Sequence, residues 1–293
     1  MTSPSPSTTP PRAAQAPLLM GVLNITPDSF SDGGRFNEAD HAVHHGLQMA
    51  RDGAAIIDVG GESTRPGSDR VPAEAQIQRV VEPIRRLRAA LDRQGFEQVV
   101  ISIDTTRAAV ARAAIDAGAA MLNDVSAGRE DPAMFQLAAE HAAPIVLMHM
   151  LGQPGTMQDD PHYGDVVQDV LGFLIERAEL AVKAGVQPGR VWLDPGIGFG
   201  KTLEHNLALL GALPVFAATG YPVLLGVSRK RFIAACCEGF ANPRTHDRLP
   251  GTLAAGLTGA RSGVAGLRIH DVAEHRQALA VEKAIELNTY RTK

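Results

Sequence analysis

Cysteine, aromatic residues and net charge are all scarce in this sequence. Among 293 residues there are two cysteines, the neighbours Cys236 and Cys237, and aromatic residues make up 4%. Neighbouring cysteines suit neither a disulfide nor a metal site, so we expect both to be reduced, packed residues of a cytoplasmic protein. A net charge of −4 gives no reason to expect nucleic acid or a membrane surface as a partner.

Long apolar runs are missing as well. No stretch of the sequence approaches the roughly 18 apolar residues of a membrane-spanning helix. Residues 1–17 are rich in Ser, Thr and Pro and lack the basic start and apolar core of a secretory signal. We therefore expect residues 1–17 to be a disordered tail and residues 18–293 to form a single domain.

The sequence does contain a repeated pattern, in which a short apolar strand carries a polar residue at its carboxyl end and a helical segment follows. The clearest copy is Ile56–Val59, which is interrupted by Asp58 and followed by Gly60 and Gly61. About eight such units follow one another, which predicts a parallel sheet with right-handed crossovers. Eight units predict an α/β fold, the closed (β/α)8 TIM barrel, with its active site at the carboxyl ends of the strands.

The polar residues at these strand ends are the candidate site. They are Asn24, Asp58, Asp104, Asn123, Asp124, His149, Asp194, Ser228, Arg229, Lys230, Arg268 and His270. A carboxylate can accept two hydrogen bonds from a guanidine-like ring edge, and an amide both donates and accepts. Asp104, Asn123 and Asp194 therefore suit a flat heterocycle, and Lys230 belongs with them.

A second group of residues suits a phosphate. Arg65, Arg268 and His270 can bind its oxygens, and Asn24 offers an oxygen to Mg²⁺, which keeps most of its waters and bridges phosphates. No base adjoins a serine or cysteine in an arrangement that indicates nucleophilic catalysis. A flat ring, a diphosphate and Mg²⁺ together indicate displacement of a diphosphate leaving group.

Two further stretches each leave two interpretations open. The polar loop after Asn24 contains Phe30 and the pair Gly33–Gly34, and it is either a plain surface loop or a mobile lid over the barrel mouth. We favour the lid, because an exposed Phe has little other reason to lie there. The three cations of Arg229–Arg231 form either a solvated run or an anion site, and the barrel mouth favours the anion site.

The stretch Asp194–Thr202 ends like a nucleotide-binding phosphate loop. That motif requires a glycine where this chain has Pro195, which has no amide to donate, so we reject a nucleotide site. The glycines are instead expected to allow a ligand to approach closely, and Phe199 is expected to offer a flat apolar wall.

Local signals predict three helix starts. Thr105 is expected to cap the third helix, and Asp131–Pro132 to open the fourth. Asp271 and Glu274 are expected to form a capping box for the last helix, which makes Asp271 structural.

Taken in order, these stretches closely resemble the dihydropteroate synthases, the folate-pathway enzymes that join a pterin to p-aminobenzoate. The matching stretches are Gly21–Gly34, Ile56–Gly67, Ile101–Thr105, Leu122–Ser126, Leu147–Met150, Asp194–Lys201, Gly226–Lys230 and Arg268–Asp271. One alone would be weak, but all of them in order are very specific. They extend over about residues 18 to 275, which implies one pterin-binding TIM barrel.

The resemblance also implies roles for matching positions. The pterin would be bound by Asp104, Asn123, Asp194 and Lys230, Mg²⁺ by Asn24, and the diphosphate by Arg65, Arg268 and His270. The p-aminobenzoate side would be lined by Phe30, Asp32, Thr64, Pro66, Phe199 and Ser228. Met148 could touch the flat ligand, and Asp58 would be a supporting acid near Arg65 or the ring.

The implied reaction joins 6-hydroxymethyl-7,8-dihydropterin diphosphate to p-aminobenzoate, giving 7,8-dihydropteroate and diphosphate. Mg²⁺, Lys230, Arg268 and His270 would stabilise the departing diphosphate, and Asp32 would stabilise the cationic pterin methylene before the arylamine attacks. Members of the family are sulfonamide targets and homodimers that pair through outer helices near the carboxyl terminus, so the same is expected here. The chain departs from many members at Arg231, where they have serine.

Two rival functions stay open at this point. One is a methyltetrahydrofolate-binding methyltransferase, which shares the pterin-binding barrel and its ring-binding acids. The other is a non-catalytic pterin-binding paralogue that has kept the fold. Retention of Asn24, Asp32, Arg65 and Lys230 argues against both.

Overall fold

The computed structural model of the protein describes residues 16–25, 34–62, 70–152, 156–237 and 245–288. Of the predicted tail, only residues 16 and 17 belong to these ranges. In the described part of the chain, no helix is both long and apolar enough to cross a membrane.

Eight strands form one parallel sheet in the order β6-β5-β4-β3-β2-β1-β8-β7. The strands are β1 (Leu18–Asn24), β2 (Ile56–Gly60), β3 (Val100–Asp104), β4 (Met121–Asp124), β5 (Ile145–Met148), β6 (Val191–Asp194), β7 (Leu224–Gly226) and β8 (Gly266–Ile269). The two end strands also meet, because Leu193 of β6 forms a parallel bridge with Val223 and its N–H donates to the carbonyl of Pro222 at 2.9 Å. The sheet is therefore closed, which confirms the predicted (β/α)8 barrel.

Helices lie between successive strands, as the alternating pattern predicts. They are α1 (Gly34–Asp52), α2 (Ala73–Arg93), α3 (Ala108–Asp116), α4 (Ala133–Glu140), α5 (Val166–Lys183), α6 (Leu203–Gly211), α7 (Leu213–Ala217), α8 (Arg231–Cys236), α9 (Leu249–Arg261) and α10 (Val272–Leu287). Short 3₁₀ helices occupy Pro188–Arg190 and Thr245–Arg248.

The barrel interior is filled by one apolar layer under the polar mouth. Its members are Met20, Ile56, Met121, Val146 and Leu224, all buried. Side chains alternate along a strand, so Asp58, two residues beyond Ile56 on β2, points to the same side as Ile56. The polar residues that interrupt the apolar strands therefore lie inside the barrel, above this layer.

The predicted cap of the third helix is wrong. The first N–H of α3, from Ala108, donates to Asp131 at 2.8 Å, while the Thr105 hydroxyl donates to Gln76 at 3.1 Å. The other oxygen of Asp131 accepts from the N–H of Ala133 at 3.2 Å, which confirms the predicted start of α4. One carboxylate thus serves two helix starts.

The predicted capping box at α10 is also wrong. The Asp271 side chain makes no cap bond and instead pairs with Arg229, whose Nε donates to it at 3.1 Å. A guanidinium is a stronger partner for a carboxylate than a backbone amide. Arg229 is therefore turned to Asp271, and its backbone has a φ of 59°. Of the three predicted anion-site cations, Arg229 is thus already paired.

The two cysteines are free, as predicted, but Cys236 is exposed and Cys237 is half-buried. The expectation that both are packed is wrong for Cys236. The cause is their position at the end of α8, whose buried residues, Phe232 and Ile233, lie earlier in the helix.

Candidate active site

A buried ionic cluster lies at the centre of the barrel mouth. Asp58, which is 0% exposed, accepts hydrogen bonds through Oδ2 from Arg268 Nε at 2.7 Å and from Asn123 Nδ2 at 2.9 Å. Arg268 Nη2 also donates to Asp104 Oδ2 at 2.7 Å. Asp58 Oδ1 is buried and has no hydrogen-bond partner among the described residues. The cluster therefore holds an unused acceptor that points to a missing donor.

The charges of this cluster do not balance, since two carboxylates share one guanidinium. Burial raises the pKa of Asp104 to about 7, with Arg268 opposing the shift and Asp58 adding to it. Burial opposes the charge on Arg268, but Asp58 and Asp104 outweigh it, so the pKa of Arg268 is raised. Near neutral pH the cluster can take up or release a proton through Asp104.

A second charged pair lies at the end of β6 and in the loop after β7. Asp194 Oδ1 accepts from the Gly196 N–H at 2.7 Å, and Lys230 Nζ donates to the carbonyl of Ile197. A Cβ atom on Gly226 would lie 3.6 Å from Lys230 Nζ and 3.8 Å from Asp194 Oδ2, so both groups border the same glycine. Gly226 lies opposite Arg268 in the sheet, which joins this pair to the first cluster.

Burial shifts both members of this pair towards their neutral forms. Burial raises the pKa of Asp194, although Lys230, Arg268 and Lys201 oppose the shift. Burial lowers the pKa of Lys230 to about 8, with Asp194 opposing the shift. Each charge depends on the other, because neither has enough water around it to be stable alone.

Apolar side chains line one side of the mouth. Met148 lies opposite Asp194 in the sheet and is 3% exposed, in a cluster with Val125, Met150 and Met157. Phe199 packs against this cluster and is half-buried. Lys230 Nζ lies 4.7 Å from the centroid of the Phe199 ring. The arrangement agrees with the predicted flat wall beside the charged groups.

Ser228 and His270 lie together, although the sequence analysis assigned them to different substrates. His270 Nδ1 is 2.8 Å from Ser228 Oγ, and the His270 backbone N–H donates to the same oxygen at 3.2 Å. These contacts connect the end of β7 with the end of β8. Ser228, expected at the arylamine side, and His270, expected at the diphosphate side, are thus hydrogen-bonded to each other.

Asn24 ends β1 beside the acids. A Cβ atom on Gly60 would lie 3.5 Å from Asn24 Oδ1 and 3.9 Å from Asp104 Oδ2, so the missing side chain leaves space between the two oxygens. No cluster of three or more His, Cys, Asp or Glu in the described ranges could hold a metal. The two oxygens of Asn24 and Asp104 alone would suit Mg²⁺ that keeps most of its waters and also binds phosphate oxygens, rather than an ion enclosed by protein ligands.

Asp124 is a strand-end acid whose carboxylate is not available to a ligand. Its two oxygens accept from the Ser126 N–H and hydroxyl and from the Gly128 N–H, at 2.7 to 2.8 Å. Burial raises its pKa to about 6. Its carboxylate is used to shape the turn after β4, whereas its neighbour Asn123 faces Asp58.

Five predicted site residues lie outside the described residues. They are Phe30, Asp32, Thr64, Arg65 and Pro66. Residues 26–33 of the predicted lid also lie outside the described residues.

The glycines after β6 make room for the chain itself. A Cβ atom on Gly196 would overlap with the carbonyl oxygen of His149, and one on Gly200 would lie 2.7 Å from Leu151. Both glycines have positive φ, 66° and 62°. The expectation that the glycines allow a ligand to approach is therefore wrong at Gly196 and Gly200. At these positions the missing side chain allows close contact with the loop after β5.

Gly196→Ala is accordingly expected to destabilise the protein by about 1–3 kcal/mol, because the methyl group can enter only if the His149 backbone moves. Urea unfolding would measure the loss. The control is Gly189→Ala, since a Cβ atom there meets nothing within 4 Å. Equal stabilities of the two variants would contradict the close-contact explanation.

A closed (β/α)8 barrel with buried acids and cations at the carboxyl ends of its strands is characteristic of an enzyme with its active site at that face. Comparison with known proteins narrows this class. The profile of the family described as pterin binding enzyme matches residues 20–270. The dihydropteroate synthase of Mycobacterium leprae is 48% identical over 267 residues, which is 90% of this chain and 91% of that protein.

Solved structures agree. A dihydropteroate synthase from Xanthomonas albilineans with 4-aminobenzoic acid superimposes with a TM-score of 0.84 at 44% identity, covering 93% of this chain and 94% of that one. A Yersinia pestis dihydropteroate synthase in complex with a sulfonamide drug gives a TM-score of 0.83 at 38% identity, covering 93% and 95%. The chain belongs to the pterin-binding enzyme family and, within it, to the dihydropteroate synthases.

Proposed function

We propose that the barrel mouth joins 6-hydroxymethyl-7,8-dihydropterin diphosphate to p-aminobenzoate, releasing 7,8-dihydropteroate and diphosphate. The observation that supports this most strongly is the Asp58–Arg268–Asp104 cluster beside the Asp194–Lys230 pair. It combines acceptors for a ring edge with cations for a leaving group on one rim.

The pterin ring would lie across the acids. Its guanidine-like edge would donate to Asp194 and Asp104, while the Asn123 amide and the unpartnered Asp58 Oδ1 would meet the rest of its polar edge. Met148 would cover the ring from the buried side. Each charge-assisted hydrogen bond of this kind contributes about 1.5–3 kcal/mol, enough to reject rings that lack the matching edge.

The leaving group would be held by hydrogen-bond donors around the ring. Arg268 and His270 end β8, and Arg65 stays a proposed third partner. Asn24 would contribute one oxygen to Mg²⁺, and the bound ion would neutralise charge on the diphosphate. Because Arg268 already bridges two carboxylates, it can turn a donor to the diphosphate while keeping its charge compensated.

The chemical step breaks the bond between the pterin methylene carbon and the diphosphate oxygen. The electron pair leaves with the diphosphate, whose growing charge Arg268, His270 and Lys230 would stabilise. Asp32 is proposed to stabilise the methylene cation. The arylamine nitrogen, packed against Phe199 near Ser228, would then form the new carbon–nitrogen bond and lose one proton to solvent.

A coupled assay tests this proposal directly. The protein is mixed with the dihydropterin diphosphate and Mg²⁺, and diphosphate release is followed with and without p-aminobenzoate. Release that depends on p-aminobenzoate, together with formation of dihydropteroate, is the expected result. Pterin binding without release would support the non-catalytic paralogue instead, and methyl transfer to a partner would support the methyltransferase.

Pterin affinity is expected to depend on pH through two groups. A carboxylate accepts donors from the ring only when ionised, so affinity should fall, by up to roughly tenfold per unit, as the pH drops below the Asp104 pKa of about 7. Above the Lys230 pKa of about 8, loss of that charge should weaken affinity again. Calorimetric titrations with a pterin between about pH 5.5 and 9 measure this curve; a flat profile would contradict it.

The stability of the fold should depend on the protonation of Asp104 in the opposite sense to pterin affinity, and should fall as the pH rises. Its folded pKa of about 7 lies above the usual unfolded value of roughly 3.9. Its contribution to stability is therefore fully present below about pH 4 and is lost as the pH rises through about 7. The Asp104→Asn variant, which cannot titrate, should lack this part of the pH dependence.

Three further proposals follow from the same family. Sulfonamides should compete with p-aminobenzoate, a prediction supported by the Yersinia pestis complex. A homodimer is supported by α10, which exposes Val281 and Leu287 by 55% and 76%. A cytoplasmic location stays a proposal, supported by the two free cysteines.

A further inference from the structure

Lys201, the lysine of the rejected phosphate-loop motif, has no role in the chemistry proposed above. It is nevertheless 3% exposed, which is unusual for a lysine. Its Nζ lies 3.0 Å from His149 Nδ1, 3.0 Å from the carbonyl oxygen of Phe199 and 3.4 Å from that of His149. Three acceptors thus surround the buried Nζ, and burial lowers the pKa of Lys201 to about 7, so it is present as both ammonium and amine near neutral pH.

His149 is suited to be one of these acceptors. Burial lowers its pKa to about 3, and Lys201 and Arg129 add to the shift, so the ring is neutral near pH 7. An ammonium can only donate, so His149 Nδ1 accepts. The ring is also packed, with Phe173 edge-on at 5.0 Å and Tyr163 at 5.9 Å between centroids. Lys201 therefore binds to a rigid partner on the loop after β5.

Side chains hold three consecutive carbonyls of the loop after β6, two from the loop after β5 and one from Lys201 within the loop itself. Gln158 donates to Gly198 O at 2.7 Å, and the Tyr163 hydroxyl donates to Gly200 O at 2.7 Å. Lys201 supplies the middle bond, to Phe199 O. Gly198 and Gly200 have φ of 84° and 62°, and glycines permit many backbone conformations. The side chains that hold these carbonyls therefore help to set the path of this loop, together with Asn206, which accepts from the Gly198 N–H at 2.6 Å.

We propose that Lys201 is a positioning residue, which with His149 fixes the backbone of Phe199 and so sets the wall against which the arylamine packs. This inference rests on the proposed function, since it assigns the Phe199 side to the arylamine. Lys201 acts through Phe199 and touches neither reacting atom. Its charge also lies close enough to Asp194 to oppose the rise in that acid's pKa, so a smaller effect on the pterin is expected.

The central experiment compares Lys201→Met with the wild-type protein. A methionine of similar volume removes the charge and the donors, and replacing a buried ion by an apolar residue is often tolerated. We expect the KM for p-aminobenzoate to rise by about tenfold or more while kcat stays within about threefold. Hydrogen exchange of the backbone amides of residues 196–202 should become faster. Lys183→Met is the matched control, because Lys183 is exposed at the end of α5.

A second variant keeps the test decisive if Lys201→Met does not fold. Tyr163→Phe leaves Lys201 in place and removes only the hydroxyl that holds Gly200 O, so it should shift the KM and the exchange in the same direction by a smaller factor. Unchanged KM and unchanged exchange at residues 196–202 in the folded variants would overturn the proposal. If the wild-type protein released no diphosphate, the proposed function would fail, and the exchange data alone would still decide whether Lys201 holds the loop.

Discussion

Arg268→Met is expected to lower the free energy of unfolding by about 3–5 kcal/mol at neutral pH. Arg268 is the cation that contacts both Asp58 and Asp104, at 2.7 Å each. Asp58 is 0% exposed, so its charge cannot be rehydrated when the guanidinium is removed. Chemical unfolding monitored by circular dichroism measures the loss. The loss should shrink at lower pH, where Asp104, whose pKa burial raises to about 7, takes up a proton and no longer carries buried charge.

The double variant Asp58→Asn, Arg268→Met separates charge from packing. It removes one of the stranded carboxylates while leaving an oxygen to accept from Asn123, and it should recover a large part of the lost stability. Diphosphate affinity should remain low in both variants, since neither has the cation. If Arg268→Met lowered the free energy of unfolding by less than about 1 kcal/mol, the guanidinium would not be compensating the charges of Asp58 and Asp104.

Asp194→Asn is expected to weaken pterin binding by about 10²–10⁴-fold, the equivalent of two charge-assisted hydrogen bonds. The carboxylate is 4% exposed and uses Oδ1 to accept from the Gly196 N–H. An asparagine can keep that acceptor, but its amide offers a donor where the ring edge also donates. The loss should therefore appear in binding, as measured by calorimetry with a pterin, and much less in the stability of the fold.

Asp116→Asn is a suitable comparison, because Asp116 is exposed at the end of α3, away from the carboxyl ends of the strands. It should bind the pterin as tightly as the wild-type protein does. If Asp194→Asn also bound normally, Asp194 would not contact the ring, and the proposed orientation of the substrate would have to be reversed or abandoned.

Much of the site could be predicted from the sequence because barrel topology converts chain order into position. A polar residue that ends a parallel strand must lie at one rim, whichever helix follows it. Asp104 and Asn123 lie opposite each other in neighbouring strands, and Met148 lies opposite Asp194, as this rule requires. The order of the motifs along the chain then indicated the family without any structural information.

The pairing of individual side chains could not be predicted in the same way. Asp58 was expected near Arg65 or the ring, and in the structure it pairs with Arg268, which is 210 residues further along the chain. Thr105 and Asp271 carry local capping signals, yet Asp131 takes the place of Thr105 at the third helix, and Asp271 pairs with Arg229 instead of capping the last helix. Lys201 resembled part of a phosphate loop and turned out to be buried against His149. In each case the stronger partner comes from another strand or loop.

Periodicity and strand-end chemistry in the sequence determined the barrel, the rim on which the chemistry lies, and the acids and cations available there. Tertiary structure alone decided which acid meets which cation, which carboxylates serve turns, and which lysine is removed from water. The physical reason is that hydrophobic patterning acts through local backbone geometry, whereas the energy of a buried charge depends on every group within a few ångströms, from any part of the chain.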